Sequence, residues 1–217
     1  MTPVSEKERL EINQLVARFE SDTGIQAVAA VTAKADAYPE IPWKAFALGA
    51  ALAGLIASLH PSVIRVWSDT SVAAADSMLV LGSGVVLALL SSVVPAFGRI
   101  FLDPVRARAE ALQYAKQVFL ERELFCTERR CAVLVVVCRF EGIAVVVSDS
   151  GLAQYAPPAE LGEIGAAAGA ATRRGDLTGA FALAFERIKA LLERNGMQRR
   201  CGPANELDDD VLVGRSA

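Results

Sequence analysis

The chain has 217 residues, enough for one domain with an appendage, and carries a net charge of −3 at pH 7. Hydrophobic residues make up 53% of it and charged residues 22%, a balance that excludes a disordered chain and points to membrane segments beyond an ordinary core. With 22 Lys and Arg against 25 Asp and Glu there is no basic excess to neutralise phosphates, so nucleic acid is not expected as a partner.

From the N-terminus, the first signal is Ser5 followed three residues later by Glu8, a capping box. Leu10, Ile12, Leu15, Val16 and Phe19 then recur at helical spacing up to Gly24, which predicts an amphipathic helix. Residues 25–33 form a short run rich in Val and Ala, read as a buried strand. The charged run Glu6, Lys7, Glu8, Arg9 stands where a signal peptide would have its apolar core, so the soluble parts are expected in reducing cytosol.

Past Tyr38, Pro39 and Pro42 come the two features that organise the chain. Residues 45–64 and 77–98 are uncharged runs of 20 and 22 residues. As helices rising about 1.5 Å per residue, each is long enough to cross the roughly 30 Å hydrocarbon core of a bilayer. Trp43 and Trp67 bracket the first run as interfacial aromatics do, His60 and Pro61 sit near its outer end, and the short loop between the runs predicts an antiparallel hairpin. Small residues recur every fourth position, at Ala50, Gly54 and Ser58 and again at Gly84, Ala88, Ser92 and Ala96. Such ridges let helix backbones approach closely in lipid, within the hairpin or between copies of the chain. Lys and Arg number 5 in residues 1–44, 1 in the loop 65–76 and 16 in residues 99–217, so the positive-inside rule puts both termini in the cytoplasm.

After the hairpin, Asp103 and Pro104 open a helix running to about Phe125. Residues 131–139 and 143–148 read as two strands of a hairpin. Helices over 159–174 and 178–195 follow, ending at Gly175 and Gly196. One helix and one strand bury no apolar face alone, so residues 1–44 must dock on the later elements. The expected organisation is thus a split α/β domain, residues 1–44 and 99–198, interrupted by a transmembrane hairpin at 45–98. A polar tail at 199–217, with Asp208, Asp209 and Asp210, closes the chain.

Candidate chemistry is sparse. Cys126, Cys131, Cys138 and Cys201 make no paired C-x-x-C knuckles and His60 is remote from them, so they are read as small buried hydrophobes and a free thiol rather than a zinc site. Cys131 and Cys138 stand an odd number of positions apart on one strand and would point to opposite faces. With the single His assigned to the membrane there is no imidazole base for the soluble domain, and no nucleophile elbow or phosphate-cradling loop is present. Carboxylates remain. Asp149 directly follows a strand and Asp176 opens a helix; with help from Asp22 they are candidate oxygen ligands for Ca²⁺ or Mg²⁺. The plainer alternatives are a turn residue at Asp149 and a helix cap at Asp176. Arg173 and Arg174 either complement a helix end or bind a phosphate headgroup.

The order of these elements resembles the TPM domain family, in particular the bacterial membrane proteins whose domain is split by two transmembrane helices. The resemblance is carried by Phe19-Glu20-Ser21-Asp22-Thr23-Gly24 before the first strand, Tyr38 through Trp43-Lys44-Ala45 entering the first span, and Ala115 to Phe119. It continues with Thr127 and Arg130 before Leu134-Val135-Val136-Val137, then Val147-Ser148-Asp149-Ser150-Gly151-Leu152, Arg174-Gly175-Asp176 and Asn205-Glu206-Leu207-Asp208. It departs where a family Trp is replaced within Pro158-Ala159-Glu160-Leu161 and where Phe-Pro is replaced around Gly196 and Met197. The resemblance implies a compact TPM-like sheet-and-helix α/β domain interrupted by the membrane hairpin, in the bacterial inner membrane. By the same resemblance the domain is a binding or assembly module at the cytoplasmic face that takes a protein partner or a second copy of itself and binds Ca²⁺ or Mg²⁺. The alternative it implies is a weak metal-assisted acid phosphatase.

Overall fold

A computed structural model describes residues 4–59, 69–127, 130–197 and 211–214. Among the described residues the chain is mixed α/β, with seven α-helices and a four-stranded mixed sheet. It divides into two compact units, one made of Met1–Ala37 with Pro104–Ala217 and the other of Tyr38–Asp103.

In the first unit, α1 spans Glu6–Thr23. The predicted capping box forms: the Ser5 hydroxyl accepts from the Glu8 N–H at 3.2 Å, while a Glu8 carboxylate oxygen accepts from the Ser5 N–H at 2.9 Å. Gly24 ends the helix at φ 70°, a left-handed conformation that costs glycine nothing. Strand β1, Gln26–Thr32, is buried on both faces. The helix α5, Pro104–Glu121, then leads through a 3₁₀ turn at Leu124–Cys126 into β2, Ala132–Cys138, and β3, Ile143–Ser148. Helices α6, Pro158–Arg173, and α7, Leu177–Arg194, complete the cover.

The sheet order is β3-β2-β1-β4, with β2 parallel to β1 and antiparallel to β3. A parallel neighbour requires a crossover, which α5 provides on one sheet face. On that face Ala111, Ala115 and Val118 pack with Val28, Ala30, Leu134 and Val136. On the other, α1, α6 and α7 bury Ile12, Val16, Phe19, Ile164, Phe181, Phe185 and Ile188 against Val133, Val135 and Val137. Phe19 and Phe185 lie 5.1 Å apart, centroid to centroid. Cys131 and Cys138 fall in opposite cores, as their odd spacing requires. The expectation of small buried hydrophobes and a free thiol holds for Cys138 but not for Cys131, which is disulfide-bonded.

Strand β4, Leu212–Gly214, pairs in parallel with Ala30–Thr32 of β1. It lies inside the segment expected to be a polar tail, because an apolar run of three residues gives no periodicity to read. The acidic residues 208–210 lie outside the described residues.

The second unit holds two long apolar helices, α2 over Glu40–Leu59 and α3 over Asp69–Val93, followed by the short α4, Pro95–Gly98. Pro42 is accommodated in the first turn of α2, where the backbone N–H has no helical partner to lose. Pro95 stops α3 short of the expected 98, because the residue before a proline is pushed toward extended backbone and Val94 has φ −104°, ψ 100°. The two helices pack closely. A Cβ on Gly49 would lie 2.7 Å from the Ser83 carbonyl oxygen, and the Ser83 hydroxyl donates to the Gly49 carbonyl at 3.0 Å. The ridge of α2 is Ala45, Gly49 and Ala53, one position away from the predicted Ala50, Gly54 and Ser58. In α3 the expected Gly84 does sit in the interface, against the Phe46 ring.

Candidate functional site

The corner where β3 ends brings Asp149, Ser150 and Arg130 together. The Asp149 N–H continues the ladder to the Ala132 carbonyl at 2.9 Å, so its side chain is held beside the start of β2. Asp149 is only 5% exposed. One carboxylate oxygen, Oδ1, accepts from the Ser150 N–H at 2.6 Å and the Ser150 hydroxyl at 3.2 Å, and lies 3.9 Å from an Arg130 guanidinium nitrogen. The other, Oδ2, is buried with no hydrogen-bond partner among the described residues.

Arg130 is shaped for this corner. Its φ is 54°, its carbonyl accepts from the Gly151 N–H at 3.0 Å, and its guanidinium lies 5.7 Å from the centre of the Phe125 ring. Thr127 braces the loop by accepting from the Cys131 N–H at 3.2 Å. The Asp149–Ser150–Gly151 segment and Arg130 thus hold each other through backbone and charge together.

The other expected ligands each have a partner of their own. Asp176 caps α7, accepting from the Gly179 N–H at 2.8 Å. It follows α6, whose Arg173 donates to the Gly142 carbonyl at 3.0 Å, at the start of β3. Asp149 is at the far end of that six-residue strand, about 20 Å away. Asp22 pairs with Lys189 at 2.7 Å, near the end of α7 opposite Asp176, again about 20 Å along a helix of this length. Asp176 therefore stands apart from the other two, Asp22 is engaged by Lys189, and among the described residues no three His, Cys, Asp or Glu are grouped to hold a metal. A hard cation takes six or more oxygens. The described residues fit such an ion poorly, since the corner supplies one carboxylate and sets a guanidinium beside it.

Of the interfacial aromatics, Trp43 is 72% exposed and packs edge-on to Phe46 at 6.1 Å, while Trp67 and His60 lie outside the described residues. Lys44 donates to the Phe101 carbonyl at 3.1 Å, which joins the beginning of the second unit to its end. Arg130 is the site residue whose role sequence reasoning missed. Its signal was faint, an Arg in a polar loop before a Val-rich strand.

No family model and no curated protein matches the chain. Among solved structures it is similar to the NMR structure of the BA42 protein from the psychrophilic bacterium Bizionia argentinensis. The TM-score is 0.55 at 11% identity, over 98% of this chain and 97% of that one, a likeness of fold.

Proposed function

We propose that the chain is a membrane-anchored, TPM-like binding or assembly module of the bacterial inner membrane, with α2 and α3 as a transmembrane hairpin and both termini cytoplasmic. The observation that carries this reading is the surface of the second unit. Leu48, Leu52, Leu55, Ile56 and Leu59 of α2 and Met78, Leu79, Leu81, Val85, Val86 and Leu89 of α3 are all at least 43% exposed. So many outward aliphatic side chains are stable in lipid and a strong liability in water. The first unit, by contrast, buries its apolar side chains in two cores. Fluorescent fusions at either terminus should glow, and an alkaline phosphatase fused within residues 65–76 should be active; an active phosphatase at the C-terminus would overturn the orientation. One observation favours that opposite orientation, the disulfide at Cys131, because disulfides persist in oxidising compartments. The same fusions decide between the two.

A divalent cation is a second reading of the Asp149 corner, favoured by the buried, unpartnered Oδ2. Ca²⁺ or Mg²⁺ at a hundredfold excess over its Kd would stabilise the fold by about 2.7 kcal/mol. A melting temperature unmoved by either ion leaves Asp149 as the residue that caps the 3₁₀ turn Ser150–Leu152 and holds Arg130. The phosphatase alternative needs Asp149 and Asp176 on one phosphoryl group, and the length of β3 separates them.

A further inference from the structure

The edge of the sheet at β3 carries a feature the binding-module reading does not use. Along β3, Ala144 and Val146 are buried on the α6 and α7 side, but Ile143, Val145 and Val147 face the α5 side and remain partly exposed. They form the floor of a groove of about 700 Å³. One wall is the flank of α5 with Arg108, Leu112 and Lys116, and the other is α6, where Gly162, Gly165, Ala166 and Gly169 present almost no side chain. Among the residues lining it there are three cations, Arg108, Lys116 and Arg173, and no carboxylate.

We infer that this groove docks an amphipathic helix of a partner protein whose apolar stripe is flanked by acidic residues. Three observations select that occupant. An added β-strand is blocked where α6 closes on the edge: the Gly165 position approaches the Ala144 carbonyl so nearly that a Cβ there would stand 2.7 Å from it. A lipid or other single-headed anion would be served by cations drawn together, and these are spread. Arg108 and Lys116 are two turns, about 12 Å, apart on α5, and Arg173 is pinned to the Gly142 carbonyl at the start of β3. Spread cations match carboxylates spaced two turns apart along a neighbouring helix. A second copy of α5 in the groove would bring Arg108 and Lys116 against their own equivalents, so charge disfavours pairing of α5 with α5 there. The smooth Gly and Ala wall of α6 lets a helix come close, and the floor of about 20 Å accommodates three turns of it.

This surface rests on the binding-module reading, and the test separates the two. In the full-length chain in its native membrane, a photo-crosslinking residue replaces Leu112 in the groove and, separately, Arg187 on the exposed side of α7. The expected product from position 112 is one protein, joined through a helix bearing acidic residues two turns apart. The adduct should fall about tenfold or more in the Arg108→Glu/Lys116→Glu variant, the scale expected on reversing two close charge pairs, and return when the partner's two acids are changed to Lys. Gly162→Leu, whose Cβ meets nothing within 4 Å, should remove it as well, with the melting temperature of the variant measured alongside to show that the fold is kept. An adduct only to lipid, an adduct to a second copy, or a yield indifferent to the charge reversal overturns the inference. A protein captured from position 187 but not from 112 overturns the groove and leaves the module; capture from neither overturns both.

Discussion

Two glycines three residues apart on α6 should respond in opposite directions to the same substitution. In a helix interior, Gly→Ala stabilises by about 0.5–1 kcal/mol through the unfolded chain's entropy and the helix propensity. At Gly162 nothing stands within 4 Å of the new methyl, so the gain should appear undiminished. At Gly165 the methyl would be 2.7 Å from the Ala144 carbonyl oxygen and 3.7 Å from the Val145 Cα, so α6 has to lift off β3. Overpacking of this kind costs about 1–3 kcal/mol. The propensity gain is common to both variants and cancels in their difference, which therefore isolates the pressure of α6 on the sheet. For a protein of this size each kcal/mol moves the melting temperature about 2–4 °C, so Gly165→Ala should melt from about 2 to about 12 °C below Gly162→Ala. Thermal circular dichroism of the full-length chain in one detergent, with pulse proteolysis as an independent readout, measures the gap. Equal stabilisation by both substitutions would refute the close packing of α6 on β3, and with it the wall of the docking groove.

Native alkylation at pH 8 should label Cys126, which is exposed, and spare Cys138, whose thiol burial pushes far above its usual range; a modified Cys138 in the folded protein would contradict its place in the core. Burial, opposed by a hydrogen bond to Thr32, raises the Tyr114 phenol above 10.0. The folded state therefore keeps that proton longer than the unfolded one, and stability is intact below pH 10 and falls as pH rises beyond it; Tyr114→Phe should flatten this alkaline loss in melts between pH 9 and 11. Asp176→Ala removes the acceptor for the Gly179 N–H and should cost about 1 kcal/mol in denaturant unfolding, with no dependence on Ca²⁺ or Mg²⁺. Gly49→Leu puts a side chain where only 2.7 Å separates a Cβ from the Ser83 carbonyl, and should loosen the α2–α3 pair enough to speed proteolysis between them, whereas Gly54→Ala, whose Cβ meets only Val80 at 3.9 Å, should not.

Elements whose burial has a period were legible in the sequence. The Ser5–Glu8 box marked where α1 begins, and the unbroken valines 135–137 marked a strand, β2, which the structure buries on both faces. The hairpin between β2 and β3 followed from the close spacing of the two runs, and Gly142, at φ 64°, makes the turn. Features that depend on a partner far along the chain were not legible. Strand β4 exists because β1 offers a parallel edge to residues 212–214, and three residues announce no such edge. Within the hairpin, the row of α2 that faces α3 is one residue away from the expected one. Small residues occupy Ala45, Gly49 and Ala53 as well as Ala50, Gly54 and Ser58, and only the position of Ser83 opposite Gly49 distinguishes the two rows.

The carboxylates teach the same point about function. Asp22, Asp149 and Asp176 each sit at the end of a helix or strand, and a chain terminates such elements with Asp for local reasons, because an unpaired backbone N–H or a nearby cation satisfies the charge there. Local reasons suffice for two of them, since Asp176 has the Gly179 N–H and Asp22 has Lys189. Asp149 alone keeps an oxygen that its own turn does not use. A buried carboxylate oxygen without a partner is costly, and Arg130, 3.9 Å from the other oxygen, offsets only part of that cost. The metal melting experiment and Asp149→Asn therefore address one atom. If Asn at position 149, with its amide nitrogen in place of Oδ2, is as stable as Asp, the corner is a turn held by Arg130; if it loses a cation-dependent gain, Oδ2 is a ligand.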